Sequence, residues 1–170
     1  GDQLGVAADS GIVAVLKVLA GAFCIVTMTY QGFAMSHSSA IAIWNSAIMP
    51  LSSFLYSLAV GSSLALLIMS GAQAAALSEN LAMLLLSLFI MQLMFLHAGW
   101  HGSPGARTSV ELLLQTLYTK WYVGTTLVVG IVLPGLMMAF AAGKPLVATL
   151  AAMMVVAGFM SWRILIFKVG

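Results

Sequence analysis

Polar positions are so sparse along most of this chain that the apolar ones cannot form a stripe. The sequence reads instead as long apolar runs cut by short polar breaks. From the residue after Lys17 to the residue before Glu79 there is no Asp, Glu, Lys or Arg, a length sufficient for two bilayer crossings at ~20 residues each. Five segments meet the requirement for a spanning helix, at about residues 11–35, 46–70, 80–100, 120–140 and 145–167. The expectation is an all-α fold: a polytopic transmembrane helix bundle of about five spans, forming one domain over residues 1–170.

The breaks predict where the helices end. Asp9 and Ser10 are N-cap candidates for the first span. Pro50 falls in the first turns of the second, and Gly71 is its expected C-cap. Ser78, Glu79 and Asn80 read as the polar start of the third, where the helix dipole favours the Glu79 charge. HGSPGARTS is dense in turn residues, and a short amphipathic stretch to about Tyr118 is expected to lie along the interface. Tyr118, Trp121 and Tyr122 read as an interfacial aromatic belt, and Pro134 is expected to bend the fourth span.

Composition removes most other classes. A content of 62% hydrophobic and 6% charged residues, with mean hydropathy +1.12, lies far from soluble domains, in which about a quarter of residues are charged. The formal charge of +2 is scattered rather than gathered into a basic patch, so nucleic acid is rejected as a partner. The single cysteine, Cys24, offers no internal disulfide and no cysteine set for a metal cluster, and reads as a small packing residue. No signal peptide is evident, and an opening Gly is expected of a processed or truncated chain. Arg107, Lys120, Arg163 and Lys168 fall on one side of the five-span topology and Lys17 and Lys144 on the other, which places the loop after the third span and the C-terminus in the cytoplasm.

Candidate chemistry collects in the longest break, residues 29–50, TYQGFAMSHSSAIAIWNSAIMP. Here Tyr30, Gln31, Ser36, His37, Trp44 and Asn45 lie near a membrane boundary, where they can face a headgroup, a protein cleft or a lipid-soluble ligand. Tyr30 is either a belt residue or a hydrogen-bond partner of a quinone carbonyl or quinol hydroxyl. His37 is either a loop histidine or a proton acceptor, since a neutral imidazole can take a proton at working pH. His97 and His101 share a helical face, but no further ligand accompanies them, so no metal site is expected. All three histidines sit at or beyond span ends, so no haem is expected. Arg163, beside Trp162 in an apolar helix, must snorkel to the interface or contact a partner subunit or an anionic headgroup.

With no phosphate loop, no nucleophilic triad and no paired carboxylates within the membrane, the chain is expected to act as an anchor, a conduit or a binding site rather than as a catalyst alone. The serines of the second span, Ser52, Ser53, Ser57, Ser62 and Ser63, open a competing reading as a small transporter or channel-like bundle.

The residues of this break also resemble a known pattern. Tyr30-Gln31-Gly32-Phe33-Ala34-Met35-Ser36, Ile43-Trp44-Asn45, Met49-Pro50-Leu51 and Ser57 to Gly61 are similar to the Y-T-G-F-L-L-S, P-x-W-N, L-P-L and S-x-x-x-G motifs of the polysulfide-reductase membrane subunits, the NrfD/PsrC family. Ala157-Gly158, Arg163 and Val169-Gly170 resemble that family's terminal helix, and YVGTTLVVGIVLPGLMM its penultimate one. Gln31 stands where the pattern has Thr, and Ala34-Met35 where it has two Leu.

The resemblance implies a haem-free quinone-binding membrane anchor of a respiratory oxidoreductase in a prokaryotic cytoplasmic (inner) membrane. Such an anchor uses menaquinone or ubiquinone, none of it covalently bound. Its partners would be an iron–sulfur electron-transfer subunit and a molybdopterin catalytic subunit. Only Tyr30 inherits a quinol-site role from the motif; with His37, Trp44 and Asn45 it makes up the expected quinone-binding set. The chain matches the last five helices of the larger family pattern, so it is expected to be part of a larger membrane subunit.

Overall fold

A computed structural model of the chain describes residues 11–38, 41–69, 71–141 and 144–169. It contains α1 (Gly11–Ser36), α2 (Ile48–Leu66), α3 (Gly71–Trp100), α4 (Pro104–Gln115), a π-helical segment (Lys120–Val132) running directly into α5 (Leu133–Ala141), and α6 (Pro145–Val169). Among the described residues there is no strand, and five helices are long and apolar enough to cross a membrane. The chain is an integral membrane protein with the all-α bundle its apolar runs predict.

In lipid, helices gain little from hiding apolar surface from one another, so association depends on close backbone approach and interhelical hydrogen bonds. Small residues provide the approach at two crossings. Where the π-helical segment meets α6, a Cβ on Gly130 would lie 2.6 Å from the Gly158 Cα, so neither position accepts a side chain without separating the helices. Where α1 meets α2, a Cβ on Gly32 would lie 2.7 Å from the Met49 carbonyl oxygen and 2.9 Å from the Pro50 nitrogen. Ser53 reinforces that second crossing by donating to the Met28 carbonyl at 3.0 Å.

The core forms among α2, α3, the π-helical segment, α5 and α6, with Leu85, Leu88, Tyr122, Met138, Ala151 and Val155 buried in it. The amphipathic α4 lays Val110 and Leu113 against this core. Its N-cap Ser103 accepts from the Ala106 amide at 3.3 Å, and its exposed side carries the Arg107–Glu111 ion pair at 3.0 Å. By contrast, α1 packs against α2 and leaves Leu16, Phe23 and Val26 projecting outward.

Several predicted helix ends move. The third span starts at Gly71, because Gln73, Ala74, Ala75 and Ala76 are good helix formers that carry the helix back past the polar triplet. Gly71 therefore opens α3 instead of capping α2. Ser78 is a buried mid-helix residue donating to the Ala74 carbonyl at 2.8 Å, and Glu79 sits on an exposed face rather than at a helix N-terminus. The N-cap candidates Asp9 and Ser10 lie outside the described residues, as does Gly170.

Tyr122 is fully buried and so does not belong to an aromatic belt, whereas Trp121 is exposed. Cys24 is exposed on α1 rather than packed. Ahead of Pro134, which has no amide hydrogen to give, the backbone runs in wider turns, with the Leu133 amide donating to the Val128 carbonyl five residues back.

Candidate functional site

Antiparallel packing brings the 41–47 segment, the end of α3, α4 and the end of α6 together at one end of the bundle. Trp44 joins two of these parts. Its indole Nε1 donates to the Ile166 carbonyl at 3.3 Å, and its ring meets Phe167 edge-on at 5.0 Å. The sequence marks this tryptophan as a candidate ligand contact; the fold uses it to pin the 41–47 segment, the hinge between α1 and α2, to the last helix. Asn45, exposed, lines a cavity of about 310 Å³ with Ser46, Gly99 and Ser103.

His37 closes α1. Its backbone amide donates to the Phe33 carbonyl at 3.2 Å, and its ring Nδ1 approaches the same oxygen at 2.9 Å. A carbonyl only accepts, so Nδ1 carries the proton in that bond, and in the neutral ring Nε2 is left as an acceptor. Ser36 Oγ donates to that carbonyl at 2.9 Å and lies 3.4 Å from Nδ1.

His37 and Ser36 sit at one end of an open groove of about 440 Å³ between α1 and α2, whose walls are Ile25, Thr29, Phe33, Pro50, Leu51 and Phe54. Tyr30 is seven residues before His37, so the two share a helical face about two turns apart. Tyr30 is 70% exposed and stands beside the groove rather than in its wall. The four expected site residues therefore divide. Tyr30 and His37 flank the α1/α2 groove, Trp44 is occupied by α6, and Asn45 faces the α3/α4 cavity.

Two polar arrangements escaped the sequence reading. Arg163 is half-buried and bonded within the chain. It donates to the Gln31 side-chain oxygen, approaches Met35 Sδ at 3.7 Å and lies 5.1 Å above the Phe159 ring, tying α6 to α1. Deeper in the bundle, Gln92 Nε2 donates to Tyr56 Oη at 2.5 Å, and Tyr122 Oη donates to Gln92 Oε1 at 3.2 Å. Trp162 packs within this group, near Tyr56, Tyr122 and Phe95. The signal was present, since Gln92 is an amide in the apolar interior of its span and a buried amide must find partners.

Of the five serines of α2, four bond to backbone carbonyls. Ser52, Ser57 and Ser63 donate to carbonyls of their own helix at 3.0, 2.8 and 2.7 Å, and Ser53 to α1. The void beside Ser52, Ser53 and Tyr56 measures about 10 Å³, at the lower limit for a single water. His97 and His101 stand 4.5 Å apart, ring to ring. Among the described residues no three His, Cys, Asp or Glu side chains gather where a metal could sit.

Comparison with known proteins adds one finding. No curated protein and no solved structure matches this chain. The family model described as "Polysulphide reductase, NrfD" matches residues 5–170, and that span takes in the crossing built on Gly32 and Pro50 as well as the one built on Gly130 and Gly158. The chain therefore belongs to the NrfD polysulphide reductase family, whose members are membrane subunits of redox complexes.

Proposed function

We propose that this chain is the quinone- and quinol-binding part of a multi-subunit respiratory oxidoreductase in a prokaryotic cytoplasmic membrane. It passes electrons between quinol and an iron–sulfur subunit, with a molybdopterin subunit as the catalytic partner, and has no catalytic activity alone. Family membership supports the setting. The observation that carries the reading is the α1/α2 groove, apolar along its walls and ending at His37, whose Nε2 is left free to accept.

A quinol supplies two electrons and two protons when it is oxidised. His37 Nε2 takes a proton from one hydroxyl of the ring, water at the open mouth of the groove takes the second, and the two electrons pass to the iron–sulfur subunit; the Phe33 carbonyl holds the imidazole in the tautomer that permits this. The Tyr30 phenol donates to a ring oxygen from the same helical face. Phe33, Leu51 and Phe54 exclude water from the isoprenoid tail. Trp44 positions the hinge by its bond to Ile166, and Asn45, on the same loop, faces the α3/α4 cavity and not the quinol.

A small transporter or channel is the competing reading, and the bonded serines and the filled interior of α2 give it no support. The test uses the complex purified from membranes. His37→Ala is expected to lower quinol-dependent turnover about a hundredfold, the scale of a lost general base. Electron delivery from an artificial donor straight to the iron–sulfur subunit should be unchanged. Equal quinol-dependent rates in the variant and the parent would remove the α1/α2 groove from the reaction.

A further inference from the structure

A second groove lies on the opposite flank of the bundle, between the π-helical segment and α6. It encloses about 660 Å³, within the usual range of ligand sites, and its lining is graded from end to end. At the end shared with the hinge stand Lys168, Tyr118 and Trp121; next come Thr125 and Ser161; farther in are Val129 and Ala157. Thr125 and Ser161 hydrogen-bond across the floor at 2.5 Å, so hydroxyls lie below the cationic and aromatic rim and above the apolar part. Lys168 is exposed and has no carboxylate partner among the described residues.

We propose that this groove binds one anionic phospholipid, its headgroup at Lys168 and its acyl chains along Val129, Ala157 and Met160. Depth and charge both favour that occupant. From Ala157 to Lys168 is eleven residues of α6, about 16 Å at ~1.5 Å per residue, which is one leaflet of a hydrocarbon core ~30 Å thick. A partner's transmembrane helix would need a groove running the full thickness. A quinone headgroup is neutral and gives Lys168 no counter-charge, whereas a basic site between helices is the arrangement that retains anionic headgroups. Tyr118 and Trp121 line the same groove as Lys168, and such aromatic rings favour the headgroup region.

The test is native mass spectrometry of the purified complex titrated with phosphatidylglycerol and, separately, phosphatidylcholine. The parent should retain one phosphatidylglycerol about fivefold more tightly than phosphatidylcholine, the scale of one lysine near an anionic headgroup. Lys168→Gln should abolish the preference while leaving quinol-dependent turnover unchanged, because Lys168 lines the groove between the π-helical segment and α6 whereas His37 lines the separate α1/α2 groove. Ala157→Phe, which fills the deep end, should weaken retention of both lipids. The proposal is overturned if the preference survives Lys168→Gln, or if added phosphatidylglycerol displaces quinone in place of binding alongside it.

Discussion

The core and the α1 edge of this protein treat polar side chains in opposite ways. In the core, Tyr56, Gln92 and Tyr122 are buried and bonded to one another, with Trp162 packed against both tyrosines. At the α1 edge, Tyr30 is exposed and His37 keeps one ring nitrogen uncommitted. Where polar groups satisfy each other they specify how helices dock. Where they retain hydrogen-bonding capacity beside an apolar groove, they can engage something that arrives through the bilayer.

Breaking the core should have the largest effect. Gly158→Leu drives a side chain into the Gly130 backbone, and overpacking of this kind costs about 1–3 kcal/mol or more; the variant should accumulate poorly and melt far below the parent in detergent. Gln92→Leu comes next, since it leaves two buried tyrosine hydroxyls unpaired. The expected loss is about 1–3 kcal/mol, given that interhelical bonds in membranes average ~0.6 and reach ~1.7 kcal/mol. Adding Tyr56→Phe and Tyr122→Phe should recover part of it, because replacing all partners removes the orphaned groups. A melting series that shows no recovery would mean that Gln92 matters for its shape alone.

Edge substitutions should separate function from stability. Gly32→Ala pushes α1 away from Met49 and Pro50 and should cost about 1 kcal/mol while raising the KM for quinol, since the groove wall moves. Tyr30→Phe is the mildest. Losing one hydrogen bond worth about 0.5–1.5 kcal/mol should lower quinol-dependent kcat/KM roughly two- to tenfold with no change in melting temperature. A loss of stability in Tyr30→Phe would contradict its exposed position.

The fold was largely legible because the bilayer simplifies the code. Charge-free runs of the right length identify the spans, and the Gly-Pro-Ser turn locates α4. Helix ends were less legible, since an alanine-rich run before Ser78 extends α3 where a polar triplet suggests a start. The motif around Gly32 and Pro50 was visible as a resemblance, but its physical meaning, a backbone-to-backbone crossing, needs the geometry of α2. Pairings such as Gln31 with Arg163 and Gln92 with two tyrosines join residues 30 to 132 positions apart. No local pattern encodes such distances. Tyr122 shows the same limit: its neighbours in sequence resemble a belt, and its place in the core follows from which way the π-helical segment turns it.

The most direct measurement is photolabelling of the purified complex with an azido-quinone, followed by peptide mapping. Labels confined to residues 25–37 and 47–54, and lost when excess quinol is added, are the predicted result. Labels that instead map to the groove between the π-helical segment and α6, or that appear on α1 and persist under excess quinol, would contradict the account.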